Sequence, residues 1–549
     1  MKWLQTHLEP VCQALILTIG ARSAFLGRYS AISADGLSYL DVASAYLRHD
    51  WHTAINGYWG PLYSWLLAIA MCIVRPSVRL EAIFVRGVNF LIFAVALYTF
   101  QDCWHALANW NRRGRPGETI ADVSPNGWIL FGYALFVANF VWYIDMVTPD
   151  ILVASVVFAV CASLFRMDNG GQSGLSADIS LGLLLAAGFY AKAILLFFDA
   201  FVLSTLLRRR VIRRKLGSLV TLTVFALLVF PYVFALSLTL GRLTAGDSGK
   251  LNYAWFVDGP PTKTWMENAP DAAPIPFYPG RQIFHDPPAF QIPLLKGVTY
   301  APWYDAARFA TESRPRFSLH GELRQLRSNL RELQSQVLVA GAPLLVSLLV
   351  LLSYAPRLSL GRLFDSWMFS LPLLGVLSMY LLVHLVGRFT LGFLPLLWGI
   401  ALAAAIIPAT FRASARRTVL VGVAVFAASA FPGLAHSLWS PRDASAKTDI
   451  AIAEALPNYG IQPGDAVATI GSGEGAYWAR LARVSIVAEV WDDDSDKFSL
   501  SLPSWQESLA RSMAAAGARA VVWRSDRSRL CPNSWLPLPH SSGCILMLH

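Results

Sequence analysis

Two carboxylates and two basic side chains lie at the ends of long apolar stretches of this sequence. Asp35 precedes a glycine, Asp150 follows a proline, and Lys192 and Arg388 each adjoin an apolar run. A carboxylate can take a proton from a hydroxyl group, and an arginine fork can bind two oxygens of a phosphate. These four residues are therefore candidates for acid–base and phosphate-binding chemistry.

Each carboxylate also has a structural interpretation. Asp35 and Tyr39 are four residues apart and would share one face of a helix. Asp35 is equally compatible with capping that helix, or with holding a divalent metal. Asp150 begins a returning helix, where capping is again an alternative, although a carboxylate at a membrane boundary is costly unless it is solvated or paired.

The basic residues have alternatives of the same kind. Lys192 is predicted either to snorkel to the membrane surface or to hold a phosphate. Arg388 shares a helical face with His384, and either anchors the chain at the interface or binds phosphate. Lys250 lies in a Gly-Asp-Ser-Gly-Lys segment whose glycine spacing does not fit a Walker motif, so a turn is the default there. It remains a candidate substrate-binding residue.

The composition indicates that these residues are positioned by membrane helices. The chain has 549 residues, of which 55% are hydrophobic and 15% charged. Its mean hydropathy is +0.47. At about 20 apolar residues per span, the sequence predicts about eleven transmembrane helices. They lie near 11–19, 82–104, 125–143, 150–166, 178–191, 193–207, 217–240, 337–354, 366–386, 389–408 and 418–436.

The basic residues of the short loops predict the orientation. With a cytoplasmic N-terminus and eleven helices, all of these loops lie on one side, which the positive-inside rule makes the cytoplasm. The residues are Arg112, Arg113, Arg115, Arg166, Arg208, Arg209, Arg210, Arg213, Arg214, Lys215, Arg357, Arg362, Arg412, Arg416 and Arg417. They also explain the net charge of +10. The segment 61–74 is too short to span, so we expect an interfacial or re-entrant helix on the outer face, with Tyr63 at the headgroups.

Three segments are then predicted to lie outside the cytoplasm: loops at about 28–81 and 241–336, and a C-terminal domain at 437–549 that follows a transmembrane domain at 1–436. The domain is predicted to be a small α/β fold. Its expected strands are 466–470, 485–490, 518–523 and 544–548, with a helix at 505–516. In an oxidising compartment, Cys531 and Cys544 are expected to form a disulfide.

In their order along the chain, these features resemble the GT-C superfamily of membrane glycosyltransferases, in particular its protein-mannosyltransferase and aminoarabinose-transferase-like branch. The resemblance covers roughly residues 1–410. It is carried by Ala34-Asp35-Gly36 with Tyr39, Pro61-Leu62-Tyr63, Pro149-Asp150, Lys192, and His384 to Phe389. Many relatives have Asp-Glu in the first loop and Glu-Arg-Tyr before the late helix, whereas this chain has Asp35-Gly36 and Gly387-Arg388-Phe389.

The resemblance implies an inverting glycosyltransferase of the bacterial inner membrane. It implies a polyprenyl-phosphate-linked sugar as donor, Asp35 as the base, and a glycan, lipid or protein acceptor outside the cytoplasm. No metal site and no nucleic-acid partner are predicted, although a divalent metal is compatible with the carboxylates. The alternative functions are a lipid or polysaccharide transporter or flippase, which would have polar groups at mid-bilayer depth, and a scaffold that holds partners through the C-terminal domain.

Overall fold

The computed structural model describes residues 2–112, 118–170, 174–207, 212–258, 281–309, 315–440, 442–500, 502–524, 531–532 and 534–548. Several basic loop residues used for the orientation lie outside this part of the chain, namely Arg113, Arg115, Arg208, Arg209 and Arg210.

Helices make up most of the chain up to residue 258. They are α1 (Lys2–Leu26), α2 (Ala34–Leu47), α3 (Trp51–Ala54), α4 (Pro61–Val74), α5 (Glu81–Arg112), α6 (Ile120–Val123), α7 (Pro125–Phe140), α8 (Asp150–Asp168), α9 (Leu175–Ala191), α10 (Leu195–Leu207), α11 (Ile212–Leu240) and α12 (Ser248–Tyr253). The apolar runs predicted from the sequence are helical, and the short helix at 61–74 has the predicted bounds. A proline at the first position, as in α4 and α7, suits a helix start because its missing N–H has no partner there in any case.

A second set of helices begins at residue 301, within the predicted loop at about 241–336, which we call the middle segment. It comprises α13 (Ala301–Tyr304), α14 (Ala306–Phe309), α15 (Leu319–Gln334), α16 (Ala342–Ser353), α17 (Pro356–Asp365), α18 (Trp367–Val383), α19 (Leu394–Ala404), α20 (Arg412–Trp439), α21 (Ser445–Ala455), α22 (Tyr477–Ala482), α23 (Asp492–Leu500) and α24 (Pro503–Ala515). The predicted helix at 505–516 corresponds to α24.

The predicted count of eleven spans is not confirmed. Among the described residues, five helices are long and apolar enough to cross a bilayer, and the number rises to seven if each of two bent helix pairs is one span. The five are His7–Tyr29, Glu81–Trp110, Asp150–Asp168, Leu216–Leu240 and Ala409–Trp439. Shorter apolar helices, including α9 and α10, account for much of the difference, because their 17 and 13 residues fall below the length of a full span.

A seven-stranded sheet forms the non-helical part of the fold, in the order β1-β2-β4-β3-β5-β7-β6. Its central strands β4, β3 and β5 are parallel, and the outer pairs are antiparallel. The strands are β1 (Arg281–His285), β2 (Pro288–Gln291), β3 (Ala466–Ile470), β4 (Ser485–Val490), β5 (Ala520–Arg524), β6 (Leu536–Pro537) and β7 (Gly543–Met547).

The four strands predicted in the C-terminal domain are confirmed, two of them with the predicted bounds. The sheet also contains β1 and β2, which belong to the middle segment, for which the sequence analysis proposed no strand. β2 pairs with β4, so the sheet includes residues on both sides of the predicted domain boundary at residue 437. The predicted disulfide between Cys531 and Cys544 is present.

Candidate functional site

Four charged residues predicted from the sequence meet in one continuous chain of ion pairs. Arg388 contacts Asp35 at 2.7 Å and Asp150 at 3.4 Å. Lys192 donates to the other oxygen of Asp150 at 2.8 Å. The side chain of Asp150 is buried, and those of Asp35, Lys192 and Arg388 are mostly buried. We call this arrangement the four-charge cluster.

Helix ends position each member of the cluster. Asp35 lies in the first turn of α2 and Asp150 is the first residue of α8, where the partial positive charge of a helix N-terminus favours a carboxylate. Lys192 follows the last residue of α9, at the negative end of that helix. Arg388 lies in the short 3₁₀ turn Gly387–Thr390, between α18 and α19. The four residues are distant in sequence and are brought together only by helix packing.

The capping alternative for the two carboxylates is wrong. The N-cap of α2 is Ser33, whose hydroxyl accepts a hydrogen bond from the Gly36 amide. The N-cap of α8 is Pro149, with no side-chain cap. Both carboxylates therefore point toward the basic side chains instead of satisfying the backbone of their own helices.

Aromatic rings enclose Asp35 and the two cations. The indole N–H of Trp303 donates to the second oxygen of Asp35 at 3.2 Å. Trp303 is stacked on Trp255 with ring centroids 5.6 Å apart. Lys192 lies over the ring of Phe389 at 3.7 Å, a cation–π geometry. Trp303 comes from the middle segment of the chain.

Of the two tyrosines that the sequence analysis named, Tyr39 lies beside the four-charge cluster and Tyr63 lies behind Tyr39. Tyr39 is buried one turn after Asp35, and its ring packs on Trp59 at 5.0 Å and on Tyr63 at 5.2 Å. Burial, together with the charges of Asp150 and Asp35, raises the pKa of Tyr39 above its usual value. Tyr63 was expected at the lipid headgroups, but its side chain is fully buried and its hydroxyl donates to Asn89 at 2.6 Å. Tyr63 therefore supports Tyr39 from the side of α4.

The two remaining candidate residues, His384 and Lys250, are not members of the four-charge cluster. His384 follows α18, and its ring stacks on Phe256 with centroids 3.9 Å apart. Burial and the nearby charges of Arg388 and Lys192 lower the pKa of His384 to about 4, so the ring is uncharged at neutral pH. Lys250 lies in α12, whose Asn252 accepts a hydrogen bond from Tyr58 at 3.2 Å. The Tyr58 ring in turn packs on Trp303.

One charged residue near Asp35 was not predicted from the sequence. Glu474 lies in the 3₁₀ turn Gly473–Gly475 after β3, and this turn contacts α2. Burial, with the charges of Asp35 and Asp492, raises the pKa of Glu474 to about 7. The Gly473 amide donates to Glu489 at 2.6 Å, so that amide is already used within the protein.

The four-charge cluster does not fit a divalent metal. Its two carboxylates are already matched by two basic side chains, whereas Mg²⁺ and Ca²⁺ take several oxygen ligands. Within the ranges that the structure describes, no group of three or more His, Cys, Asp or Glu side chains is arranged to hold a metal ion. The divalent metal that the sequence analysis kept as an alternative therefore has no set of ligands among the described residues.

No family model and no curated protein sequence matches the chain. Several solved structures, in contrast, are similar to the chain. ArnT from Cupriavidus metallidurans bound to undecaprenyl phosphate has a TM-score of 0.51 at 12% identity, with 97% of both chains covered. An Archaeoglobus fulgidus oligosaccharyltransferase tethered with an acceptor peptide has a TM-score of 0.52 at 10% identity, with 95% of this chain and 70% of that chain covered. The chain has the GT-C fold.

A third solved structure that is similar to this chain contains a lipid phosphate. The archaeal oligosaccharyltransferase AglB, in complex with an inhibitory peptide and a dolichol-phosphate, has a TM-score of 0.51 at 12% identity, over 95% of this chain and 70% of its own. In this chain, Asp35 follows the first candidate span and Arg388 follows α18. Both charged residues thus lie at ends of helices.

Proposed function

We propose that the chain is a membrane glycosyltransferase that moves a sugar from a polyprenyl-phosphate donor to a hydroxyl group of a glycan, lipid or protein acceptor. The reaction takes place at the outer surface of the bacterial inner membrane, with inversion at the sugar carbon. The observation that carries the proposal is the four-charge cluster at helix ends of a GT-C fold, with Asp35 between Arg388 and Trp303.

The charges of the cluster are suited to a phosphate that gains charge as it leaves. Arg388 and Lys192 each face a carboxylate oxygen, and a donor phosphate offers oxygens of the same kind in exchange. Because the cluster is mostly shielded from solvent, its charges act more strongly on the departing phosphate than they would in water. Fixed positive charge near the leaving group stabilises the transition state without reorganisation.

Asp35 acts as the base in this proposal. When Arg388 turns to the donor phosphate, Asp35 loses its ion-pair partner and accepts the proton of the acceptor hydroxyl. The hydroxyl oxygen then bonds to the sugar carbon, while the bond from that carbon to the phosphate oxygen breaks and its electron pair leaves with the polyprenyl phosphate. Trp303 keeps the carboxylate oriented during the exchange.

The test is the variant Asp35→Asn, which keeps the size of the side chain and removes its basicity. We expect transfer from radiolabelled polyprenyl-phosphate sugars to fall by about 10²–10⁴-fold, the usual contribution of a positioned base. Asp145→Asn is a matched control, because Asp145 is also paired with an arginine and its side chain has nearly the same exposure, 20% against 19% for Asp35. Near-normal transfer in Asp35→Asn, with unchanged expression and thermal stability, would assign the base elsewhere.

One observation favours the transporter alternative. Asp199 lies within the apolar helix α10 with 1% of its surface exposed. Neither of its carboxylate oxygens has a hydrogen-bond partner in the described part of the chain. An ionisable group within a membrane helix often marks an ion or substrate path. A transport pathway needs a series of such groups, whereas the cluster at the helix ends contains four charges together, so we retain the transferase as the proposed function.

A further inference from the structure

Helix α15 has three exposed leucines along one face. Leu319, Leu323 and Leu330 are 62%, 57% and 46% exposed. At 100° per residue these three positions fall within about 40° of one another, so they form one apolar stripe. Outward leucines are unfavourable in water and favourable against lipid.

The end of the helix agrees with a position at the membrane surface. After Gln334 the chain continues to Ala340 and then bends by 73° into the apolar helix α16. If α16 runs across the bilayer, α15 lies closer to the membrane plane, with the leucine stripe toward lipid.

The polar face of α15 lines a cavity of about 410 Å³. Gln325, Ser328 and Glu332 contribute to its wall from successive turns, on the side of the helix opposite the leucine stripe. Phe256 and His384 contribute a stacked pair of rings. We call this space the α15 cavity, and its volume lies in the range of small-molecule sites, about 300–1,000 Å³.

The wall of the α15 cavity is connected to the four-charge cluster through hydrogen bonds. Glu332 accepts from Gln336 at 2.9 Å, and Gln336 accepts from the Thr390 hydroxyl at 2.8 Å. Thr390 lies in the same 3₁₀ turn as Arg388. His384, on the cavity wall, is close enough to Arg388 and Lys192 for their charges to lower its pKa. The cavity therefore adjoins the proposed phosphate-binding side of the cluster.

The chemistry of the wall suits a hydroxylated ring. Amide, hydroxyl and carboxylate groups can donate to and accept from sugar hydroxyls, and an aromatic face can pack on the C–H face of a sugar ring. A polyprenyl tail would leave these polar groups without partners at a cost of about 1–3 kcal/mol each. The wall thus favours the polar end of a lipid-linked substrate over its tail.

We propose that the α15 cavity binds the sugar ring of a lipid-linked substrate that enters from the bilayer beneath α15. This rests on the proposed function and extends it, because it assigns a place to the sugar as well as to the phosphate. The sugar is either that of the polyprenyl-phosphate donor or one carried by a lipid acceptor. Both have the same ring chemistry, and the experiment separates them.

The test compares two tryptophan substitutions on opposite faces of the same helix. Ser328→Trp fills the cavity, and Leu323→Trp places the same side chain on the lipid-facing stripe as a matched control. The full-length protein in nanodiscs is titrated with undecaprenyl phosphate alone and with undecaprenyl-phosphate hexoses. Transfer to dodecyl glycosides is measured in parallel, as a probe of acceptor binding.

If the cavity holds the donor sugar, Ser328→Trp weakens binding of the undecaprenyl-phosphate hexose by about tenfold or more, the equivalent of about 1.4 kcal/mol, and leaves undecaprenyl phosphate alone unaffected. If it holds an acceptor sugar, donor affinity is unchanged and KM for the dodecyl glycoside rises instead. Leu323→Trp changes none of these values. Gln325→Ala provides a second, smaller perturbation of the same wall should Ser328→Trp fail to fold.

Three results overturn the proposal. Equal loss of affinity for bare undecaprenyl phosphate would mean that the cavity holds the phosphate or tail. Unchanged donor binding and unchanged acceptor KM in both cavity variants would remove the sugar assignment alone, leaving the proposed function in place. Failure of the wild-type protein to bind any undecaprenyl-phosphate compound would remove the proposed function as well.

Discussion

Asp35 is restrained from two directions by groups of different strength. Arg388 binds one carboxylate oxygen through an ion pair, and Trp303 donates a neutral N–H to the other. An arginine can exchange its partner for a phosphate, whereas the indole is packed among Tyr58, Trp59 and Trp255 and has less freedom to move. Trp303 is therefore the contact that can hold the carboxylate in place throughout a reaction cycle.

Replacing Trp303 by Phe tests this positioning role. The ring is kept and the N–H is lost, so we expect kcat for sugar transfer to fall by about tenfold, since a hydrogen bond to a charged group contributes about 1.5–3 kcal/mol. The KM for the donor should change little, because in the proposed mechanism the phosphate contacts Arg388 and Lys192. Steady-state kinetics on the purified variant measure both values.

The control for Trp303→Phe is its stacking neighbour. Trp255 is half-buried, and its indole N–H, which is shielded from solvent, has no hydrogen-bond partner among the described residues. Trp255→Phe makes the same chemical change in the same aromatic group, and should leave kcat near the wild-type value. An equal loss in both variants would indicate that aromatic packing, and not the hydrogen bond, matters at this position.

The sequence was a good guide to single residues and a poor guide to their partners. Asp35, Asp150, Lys192 and Arg388 could be selected because charged residues are rare beside apolar runs. Their mutual contacts depend on helix packing between distant segments, which no local pattern encodes. For the same reason Glu474 was missed, because only packing between distant segments brings its turn against α2. Ser33, the cap of α2, was missed although its contact with the Gly36 amide is local.

At the scale of elements, a buried ion cluster joins the C-terminal part of the chain to the segment between the first two candidate spans. Arg480 on α22 contacts Asp41 on α2 at 2.7 Å and Glu81 at the start of α5 at 3.1 Å. Only 7% of the Arg480 side chain is exposed. Asp41 also accepts a hydrogen bond from the Thr299 amide at 2.8 Å. The helix that carries Asp35 is thus fixed on its other side by residues from two remote segments.

We expect Arg480→Met to be strongly destabilising. It leaves two carboxylates close together and poorly solvated, a loss of about 3–5 kcal/mol for a buried pair that loses one partner. The apparent Tm in detergent, measured with an intrinsic-fluorescence melt, should fall clearly below that of the wild type. Arg519→Met is the comparison, because Arg519 pairs with Asp465 but is 56% exposed, and such pairs contribute about 0–1 kcal/mol. Similar melting of the two variants would contradict a structural role for the buried cluster.

Local pattern predicted the elements more accurately than their partners. β3 and β4 are short apolar runs that are buried on both faces, so their bounds could be taken from composition. β1 and β2 are short and only partly buried, and β2 becomes a strand by pairing with β4, nearly 200 residues later in the chain. A strand whose stability comes from such a remote neighbour carries little signal in its own sequence.

At the scale of the whole molecule, the membrane-protein class and the GT-C fold could be predicted, whereas the orientation remains a prediction. Composition alone requires a polytopic protein, and the ordered charged residues suggested the fold that ArnT shares. The number of transmembrane spans was harder to predict than the fold. Several apolar helices are shorter than a bilayer is thick, and each bent helix pair can be counted as one span or as none.

The C-terminal sheet and the middle segment are joined by a buried carboxylate. Glu489 on β4 is fully buried and accepts hydrogen bonds from the Tyr300 hydroxyl at 2.6 Å and from the Gly473 amide at 2.6 Å. Burial is the main cause that raises its pKa from 4.5 to about 8. Glu489 therefore carries a proton at neutral pH in the folded protein, at the junction that holds the Glu474 turn against α2.

The raised pKa predicts that the folded protein loses stability as the pH rises. Between about pH 4.5 and 8 the folded state holds a proton on Glu489 that the unfolded chain has released, so each increase in pH in this window favours unfolding. The contribution is complete below pH 4.5 and lost above pH 8. Glu474, with a pKa of about 7, acts in the same direction over a narrower window.

The variant Glu489→Gln measures how much of the pH dependence of stability comes from this one residue. A glutamine resembles the protonated acid, since its oxygen can accept from Gly473 while its amide donates to the Tyr300 hydroxyl oxygen. The apparent Tm of the wild type should fall by several degrees between pH 5.5 and 8.5, and that of Glu489→Gln should fall less, with the gap between the two widest at high pH. The same slope in both proteins would show that Glu489 is not the group that titrates, because a neutral side chain cannot take up or release a proton in this range.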